Sequence, residues 1–98
     1  MITEHAILNV IPGQEDDFLS ALDVAKTFIA GSPGFQGLRV ERCLENPGTF
    51  LLLVEWESLE AHTQGFRGSA AYEEWRKLLH HFYEPFPVVE HFEPVATA

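Results

Sequence analysis

Two titratable side chains in the second half of the chain, His62 and Arg76, could do chemistry on a small molecule. His62 follows Trp56 at a corner between a strand and a helix, and an imidazole with a pKa of about 6.5 can exchange protons at neutral pH. Arg76 lies on a later helical segment, where its guanidinium could hold a phenolate or enolate oxygen. The rival interpretations are a solvated helix histidine and a surface arginine paired with Glu73 or Glu74. We interpret His62 as a candidate base and Arg76 as a candidate anion-binding group.

Aromatic side chains accompany these two residues. Trp56 ends the strand before the corner, and a tryptophan beside a concave sheet can stack on a flat ligand, although it can equally be part of the core. Tyr72 lies one helical turn before Arg76 and points the same way. We expect Trp56, Phe66 and Tyr72 to form the aromatic wall of a pocket between the sheet and the helices.

The other four histidines give no clear metal site. His80 and His81 are adjacent, so on a helix their side chains diverge by about 100° and cannot share a metal ion without outside ligands. His5 and His91 fall on strands that should be neighbours, but neither an H-x-H spacing nor a third ligand is present. We therefore predict no metal and no other cofactor, and we assign His5 to the substrate-binding residues.

Sequence motifs of common active sites are absent. The chain has no glycine-rich dinucleotide loop after a strand, no Walker sequence and no G-x-S-x-G element. Cys43 is the only cysteine, which excludes an internal disulfide and a cysteine-based metal cluster. Two possibilities remain. Histidine, acidic, tyrosine, tryptophan and arginine side chains could catalyse a reaction in a pocket, or the protein could have no catalytic activity.

Length and charge limit the partners. The 98 residues, 46% of them hydrophobic and 12% aromatic, predict one globular domain over residues 1–98. The net charge of −9 disfavours nucleic acid and anionic bilayers as partners. No apolar run approaches the roughly 20 residues of a membrane span, and no signal peptide is evident, so we expect a cytoplasmic protein.

Hydrophobic periodicity gives the order of the elements. The pattern predicts a strand over residues 2–11, a helix after Pro12-Gly13, a hairpin of residues 35–44 and 49–57, two helical pieces capped by Ser58 and Ser69, and a last strand over residues 88–95. This is the ferredoxin-like βαββαβ order of an α+β protein, in which both helical segments cover one face of an antiparallel sheet.

The strand after the hairpin turn carries apolar side chains on both of its faces. Phe50, Leu52 and Val54 share one side, while Leu51 and Leu53 share the other. Because the helices cover one face only, the second face needs another cover. We expect a homodimer whose sheets pack face to face over about 1,200 Å² or more.

Taken together, these residues resemble the antibiotic biosynthesis monooxygenase family of the dimeric α+β barrel group. The resemblance covers nearly the whole chain. It is carried by Pro12-Gly13, by Ser32-Pro33-Gly34-Phe35, by the run of residues 53–58 into Glu60-Ala61-His62, by Tyr72 with Trp75, and by residues 89–92. It implies small homodimers, some of which oxidise aromatic polyketides or quinols with molecular oxygen and without flavin, haem or metal.

The resemblance also suggests site residues. A tryptophan at the end of the third strand matches Trp56, and an arginine on the later helix matches Arg76. A tyrosine six residues beyond the tryptophan is replaced by His62, which can still transfer protons. An asparagine four residues before the tryptophan is replaced by Leu52, which cannot hydrogen-bond a substrate.

These observations favour a cofactor-independent monooxygenase of a small phenol, hydroquinone or polyketide-like aromatic. His62 would be the base, Arg76 would stabilise the anion, and Trp56, Phe66 and Tyr72 would form the wall. Two alternatives stay open: a non-catalytic dimer that binds an aromatic ligand, and an isomerase or cyclase on the same barrel fold.

Overall fold

A computed structural model describes all 98 residues. In chain order the elements are β1 (Ile2–Asn9), α1 (Glu15–Ala30), β2 (Phe35–Arg42), β3 (Thr49–Trp56), a π-helix (Ala61–Phe66), α2 (Ala70–Leu79), a short 3₁₀ helix (His80–Phe82) and β4 (Val89–Phe92). The predicted βαββαβ order is therefore confirmed. None of the helices is long and apolar enough to cross a membrane.

The four strands form one antiparallel sheet in the order β2-β3-β1-β4. The expected hairpin joins β2 to β3, and a bulge between Phe35 and Gly37 shifts its register. The last strand is shorter than the expected residues 88–95, because it pairs only with Thr3 to Ala6 of β1. As a result, Glu4 lies directly opposite His91 across the two strands.

Helix α1 begins and ends where the sequence indicates. Three acidic residues, Glu15, Asp16 and Asp17, occupy its first turn, where they interact favourably with the helix dipole. Phe18, Ala25 and Ile29 are buried along one face and pack it on the sheet, because residues spaced three and four apart share a side of a helix.

The segment after β3 contains a feature that the sequence did not predict. Instead of an ordinary helix ending near Gln64, residues Ala61–Phe66 form a π-helix, whose wider turn includes Gly65. The two caps are found as expected: Ser58 Oγ accepts a hydrogen bond from the Ala61 backbone N–H at 3.2 Å, and Ser69 Oγ accepts one from Tyr72 at 3.2 Å. The π-helix carries His62 and Phe66 inward, where both are buried.

The sheet has one covered face and one open face. Buried side chains alternate along β1 and β3 on the helix side, and with α1 and α2 they form a core of 15 residues. On the other side, Ile7 is 49% exposed and Phe92 is 51% exposed, with Leu51 and Leu53 partly buried between the strands. No element of the chain covers this open face.

Candidate active site

A cavity of about 390 Å³ lies between the helix side of the sheet and α2. Most of its wall is apolar or aromatic, and its polar groups come from four elements. The lining residues are Glu4, Ala6, Leu8, Leu52, His62, Phe66, Arg67, Tyr72, Trp75, His80, Tyr83, Phe86, Pro87 and Val89. An aromatic wall with a few convergent polar groups is typical of a pocket for a small organic molecule.

The polar end of the cavity is a buried group of three side chains around Glu4. Its Oε1 accepts a hydrogen bond from Trp56 Nε1 at 3.0 Å and lies 3.2 Å from His62 Nε2. Glu4 is 6% exposed and His62 only 2%. The other carboxylate oxygen, Oε2, has no hydrogen-bond partner. It is not completely buried by its neighbours, so it can contact a ligand in the cavity.

Burial sets the protonation of this group. Desolvation raises the pKa of Glu4, and the Trp56 hydrogen bond and the charge of Arg67 only partly offset it. Desolvation also lowers the pKa of His62 to about 3, with smaller contributions from Arg67 and His91. His62 is therefore neutral at pH 7, and its 3.2 Å contact with Glu4 is made by a neutral imidazole and is not an ion pair.

A second histidine extends the group towards the surface. His62 Nδ1 lies 2.8 Å from Nε2 of His91, which is partly exposed on β4. This contact is a hydrogen bond in which one ring nitrogen donates and the other accepts, according to the tautomer of each ring. Glu4, His62 and His91 thus form a continuous series of close polar contacts from the cavity to the protein surface, which we call the proton chain.

The only cation at the cavity is Arg67, which follows the π-helix. Its charge lowers the pKa values of Glu4, His62 and His91, and its side chain is exposed at the mouth of the cavity. The donor set suits an organic ligand better than a metal ion, since no three histidine, cysteine or acidic side chains converge on one point.

The model of the antibiotic biosynthesis monooxygenase family matches residues 1–78. The chain belongs to this family. The uncharacterized protein YczJ of Bacillus subtilis (strain 168) is 48% identical over 95 residues, which span 97% of this chain and all of YczJ. A crystal structure from Bordetella bronchiseptica named for the same family is 35% identical, with a TM-score of 0.92 over 97% of both chains.

A more distant family structure shares the fold. SnoaB from Streptomyces nogalater, described as a cofactor-independent oxygenase, has a TM-score of 0.85 at 17% identity. The alignment covers 98% of this chain and 94% of SnoaB. At that identity the similarity shows the fold alone.

The structure brings some of the site residues suggested by the family pattern together, and not others. His62, Phe66 and Tyr72 line the cavity as expected. Trp56 is fully buried behind it, stacked on His62 with ring centroids 5.4 Å apart, and touches the site through its hydrogen bond to Glu4. Trp56 therefore positions Glu4 and His62 and does not form part of the wall.

Arg76 and His5 lie away from the cavity. Arg76 is on the outer face of α2, where its Nη2 contacts Glu73 at 2.7 Å. Its position therefore fits the alternative interpretation, a surface arginine paired with a neighbouring acid. His5 is on the open face of the sheet, against Phe92, because neighbouring residues of a strand point to opposite sides. For the same reason His5 and His91 do not meet: His5 pairs with Glu90, and His91 pairs with Glu4.

Sequence analysis missed five polar residues of the site: Glu4, Arg67, His80, Tyr83 and His91. A signal for Glu4 was present, because it shares the parity of Ala6 and Leu8 in β1 and so had to face the core. An acid on a buried parity needs a partner, and His62 supplies it. Arg67 gave no such signal, since its position depends on the π-helix.

Proposed function

We propose that this protein is a cofactor-independent monooxygenase that oxidises a small phenolic, hydroquinone or polyketide-like aromatic with molecular oxygen. The observation that carries the proposal is the proton chain, which ends at an unpartnered carboxylate oxygen in an aromatic cavity. The family membership and the oxygenase description of SnoaB support it.

The proposed reaction begins with removal of a proton. A substrate hydroxyl in the cavity gives its proton to Glu4 Oε2, and the resulting phenolate is electron-rich enough to reduce oxygen itself. Arg67 stands at the mouth as the counter-charge of the phenolate, the role that sequence analysis had given to Arg76. His62 lies against both Glu4 and His91, and in the tautomer whose Nδ1–H donates to His91 its free Nε2 can take the proton from Glu4 while Nδ1 passes its own proton to His91.

The rest of the reaction balances without another reductant. For a phenol with a free para position, one oxygen atom enters the ring as a quinone carbonyl. The other oxygen atom leaves as water with the two hydrogens lost by the substrate. All four electrons come from the substrate, and the protein contributes a dry cavity, an acid-base pair and a positive charge.

The same residues also favour a second function, an isomerase or cyclase. The Glu4 and His62 pair can move a proton between two positions of an enolisable substrate, and that reaction needs no oxygen. Turnover without oxygen consumption under anaerobic conditions would identify this alternative. A binding protein without activity would leave every ligand chemically unchanged.

The decisive experiment is oxygen uptake by the purified protein on a panel of hydroquinones and polyhydroxylated aromatics, with catalase and chelator controls. The variant Glu4→Gln preserves the shape of the side chain and removes the base, so turnover should fall by about 10²-fold or more. His62→Gln should also lower turnover. His81→Gln is the matched control, since His81 is exposed and outside the cavity.

Uptake that is unchanged in Glu4→Gln would contradict the proposed base. Uptake no faster than autoxidation across the panel would contradict the oxygenase itself. Circular dichroism of both buried-site variants establishes that lost turnover comes from lost chemistry and not from unfolding.

We also propose that the protein acts as a homodimer formed through the open face of the sheet. Ile7, Leu51, Leu53 and Phe92 lie on that face without cover. A second copy would bury them.

A further inference from the structure

Arg67 differs from every other cation in the chain. The sequence holds six lysine and arginine residues. Four are paired with carboxylates and one lies over an aromatic ring: Lys26 with Asp23, Arg39 with Glu41, Arg76 with Glu73, Lys77 with Glu74, and Arg42 over Phe50. Arg67 has no side-chain hydrogen bond, ion pair or stacking partner, although 15 acidic residues are available.

The backbone holds this unpaired charge at the cavity. The Arg67 N–H donates to the carbonyl oxygen of His62 at 3.1 Å, which ties Arg67 to the turn that carries His62 inward. Arg67 lines the same cavity as Glu4 and His62, and its charge lowers the pKa values of Glu4, His62 and His91. Much of the rest of the wall is aromatic and includes Phe66, with Trp75 packed against it at a ring distance of 6.0 Å.

The wall therefore selects for a ligand with two unlike ends. An aromatic ring fits between the aromatic side chains, and a group at the mouth meets the free guanidinium. A carboxylate suits this position because its two oxygens match the fork of a single arginine. A phosphate dianion fits less well, since one arginine cannot neutralise it and the chain already carries a net charge of −9.

We propose that the ligand of this cavity is an aromatic hydroxy acid, held by its carboxylate on Arg67 with its hydroxyl towards Glu4. The reaction of the hydroxyl rests on the proposed function above, whereas the recognition of the carboxylate does not. Arg67 is thus the residue that determines specificity for a charged aromatic over a neutral one.

The test compares two compounds of the same shape by isothermal titration calorimetry. The acid is 3-hydroxy-2-naphthoate, and its uncharged counterpart is 3-hydroxy-2-naphthamide. The wild-type protein should bind the acid about tenfold more tightly than the amide, as a charge-assisted hydrogen-bonded pair requires. In Arg67→Met the acid should lose that advantage while the amide keeps its affinity, and Arg67→Lys should retain part of it.

The control variant is Arg76→Met, which removes a surface cation outside the cavity and should leave the preference unchanged. Equal affinities for the two compounds in the wild type would overturn the inference. So would a preference that survives Arg67→Met, or no binding of either compound. Because the titration needs no turnover, a preference for the acid without oxygen uptake would retain this inference and reject the oxygenase.

Discussion

Glu4 and His62 respond to burial in opposite directions. Burial favours the neutral form of each side chain, so the carboxyl holds its proton more tightly and the imidazole holds its proton less tightly than in water. A proton taken from a ligand can therefore stay on Glu4 without creating a buried charge on His62. This suits an acid-base pair that must receive a proton and later release it.

The same pKa shifts make the stability of the protein depend on pH. His62 loses its proton at about pH 3 in the folded chain and at 6.5 in the unfolded chain, so its stabilisation is complete above 6.5 and declines as the pH falls. Glu4, whose pKa is raised from 4.5, has the opposite effect above that value, where stability falls as pH rises. Below pH 4.5, His62 is the only residue of this pair that makes the stability depend on pH.

We therefore expect His62→Gln to lose less stability than the wild type when the pH is lowered from about 4.5 to about 3.5. The difference should be about 1.4 kcal/mol, the value of one pKa unit. Urea unfolding followed by tryptophan fluorescence at both pH values measures it. His81→Gln should behave as the wild type, and equal losses in all three proteins would contradict a neutral buried His62.

At the residue scale the sequence predicted that His62 lies at the pocket, but it did not predict the contact with Glu4. His62 was identified from its place after Trp56, because a strand followed by a helix opens a corner. Glu4 was not identified as a site residue. The strand around it was predicted, but its position on the buried face of that strand was overlooked. The link to His91 could not be predicted, since it depends on the register of β4 against β1.

Among the secondary-structure elements, the turn between α1 and β2 helps to position the π-helix that carries His62. Gly34 has a φ of +84°, and its carbonyl oxygen accepts a hydrogen bond from the Glu57 N–H at 2.8 Å. A Cβ at Gly34 would lie 2.7 Å from the Cβ of Ala61, the first residue of the π-helix. Glycine here lets the turn approach the element that carries His62.

We expect Gly34→Ala to destabilise the fold by about 1–3 kcal/mol, because alanine is strained at a positive φ and would also press on Ala61. Gly31→Ala is the matched control, since Gly31 has an ordinary φ of −85° and a Cβ there would meet only the Phe28 carbonyl oxygen at 3.9 Å, an ordinary contact. The control should be neutral or slightly stabilising. Thermal unfolding of both variants measures the difference, and equal unfolding temperatures would contradict the argument.

The sequence predicted the order of the elements but not their irregularities. Periodicity located α1, the hairpin and both serine caps, because these depend on local residues. The π-helix, the bulge at Phe35 and Gly37, and the short β4 depend on contacts between distant segments, which periodicity does not contain. The cavity is bordered by two of these irregular elements, so its shape was not predictable.

For the whole molecule, the open face of the sheet is the strongest sign of a second copy. The sequence indicated that β3 is apolar on both sides, and the structure places Leu51 and Leu53 on the side that no helix covers. An apolar sheet face that no element of the chain covers is typical of an interface.

We predict a dimer of twice the chain mass in size-exclusion chromatography with light scattering at micromolar concentration. Leu53→Glu should shift it to the monomer, because a new carboxylate would be buried at the centre of the interface. Thr27→Glu, on the exposed side of α1, adds the same charge away from the open face and should leave the dimer intact. A wild-type protein that elutes as a monomer would contradict the interface.

The pairing of Glu4 with His91 has a consequence for how the candidate site is assembled during folding. Glu4 is on the first strand and His91 on the last, so they meet only when β4 docks on β1 at the edge of the sheet. Contacts between residues so far apart along a chain form late. Val89, which lines the cavity, lies on the same strand as His91. The wall of the cavity and the contact between His62 and His91 are therefore completed in one step, when the last strand reaches the sheet.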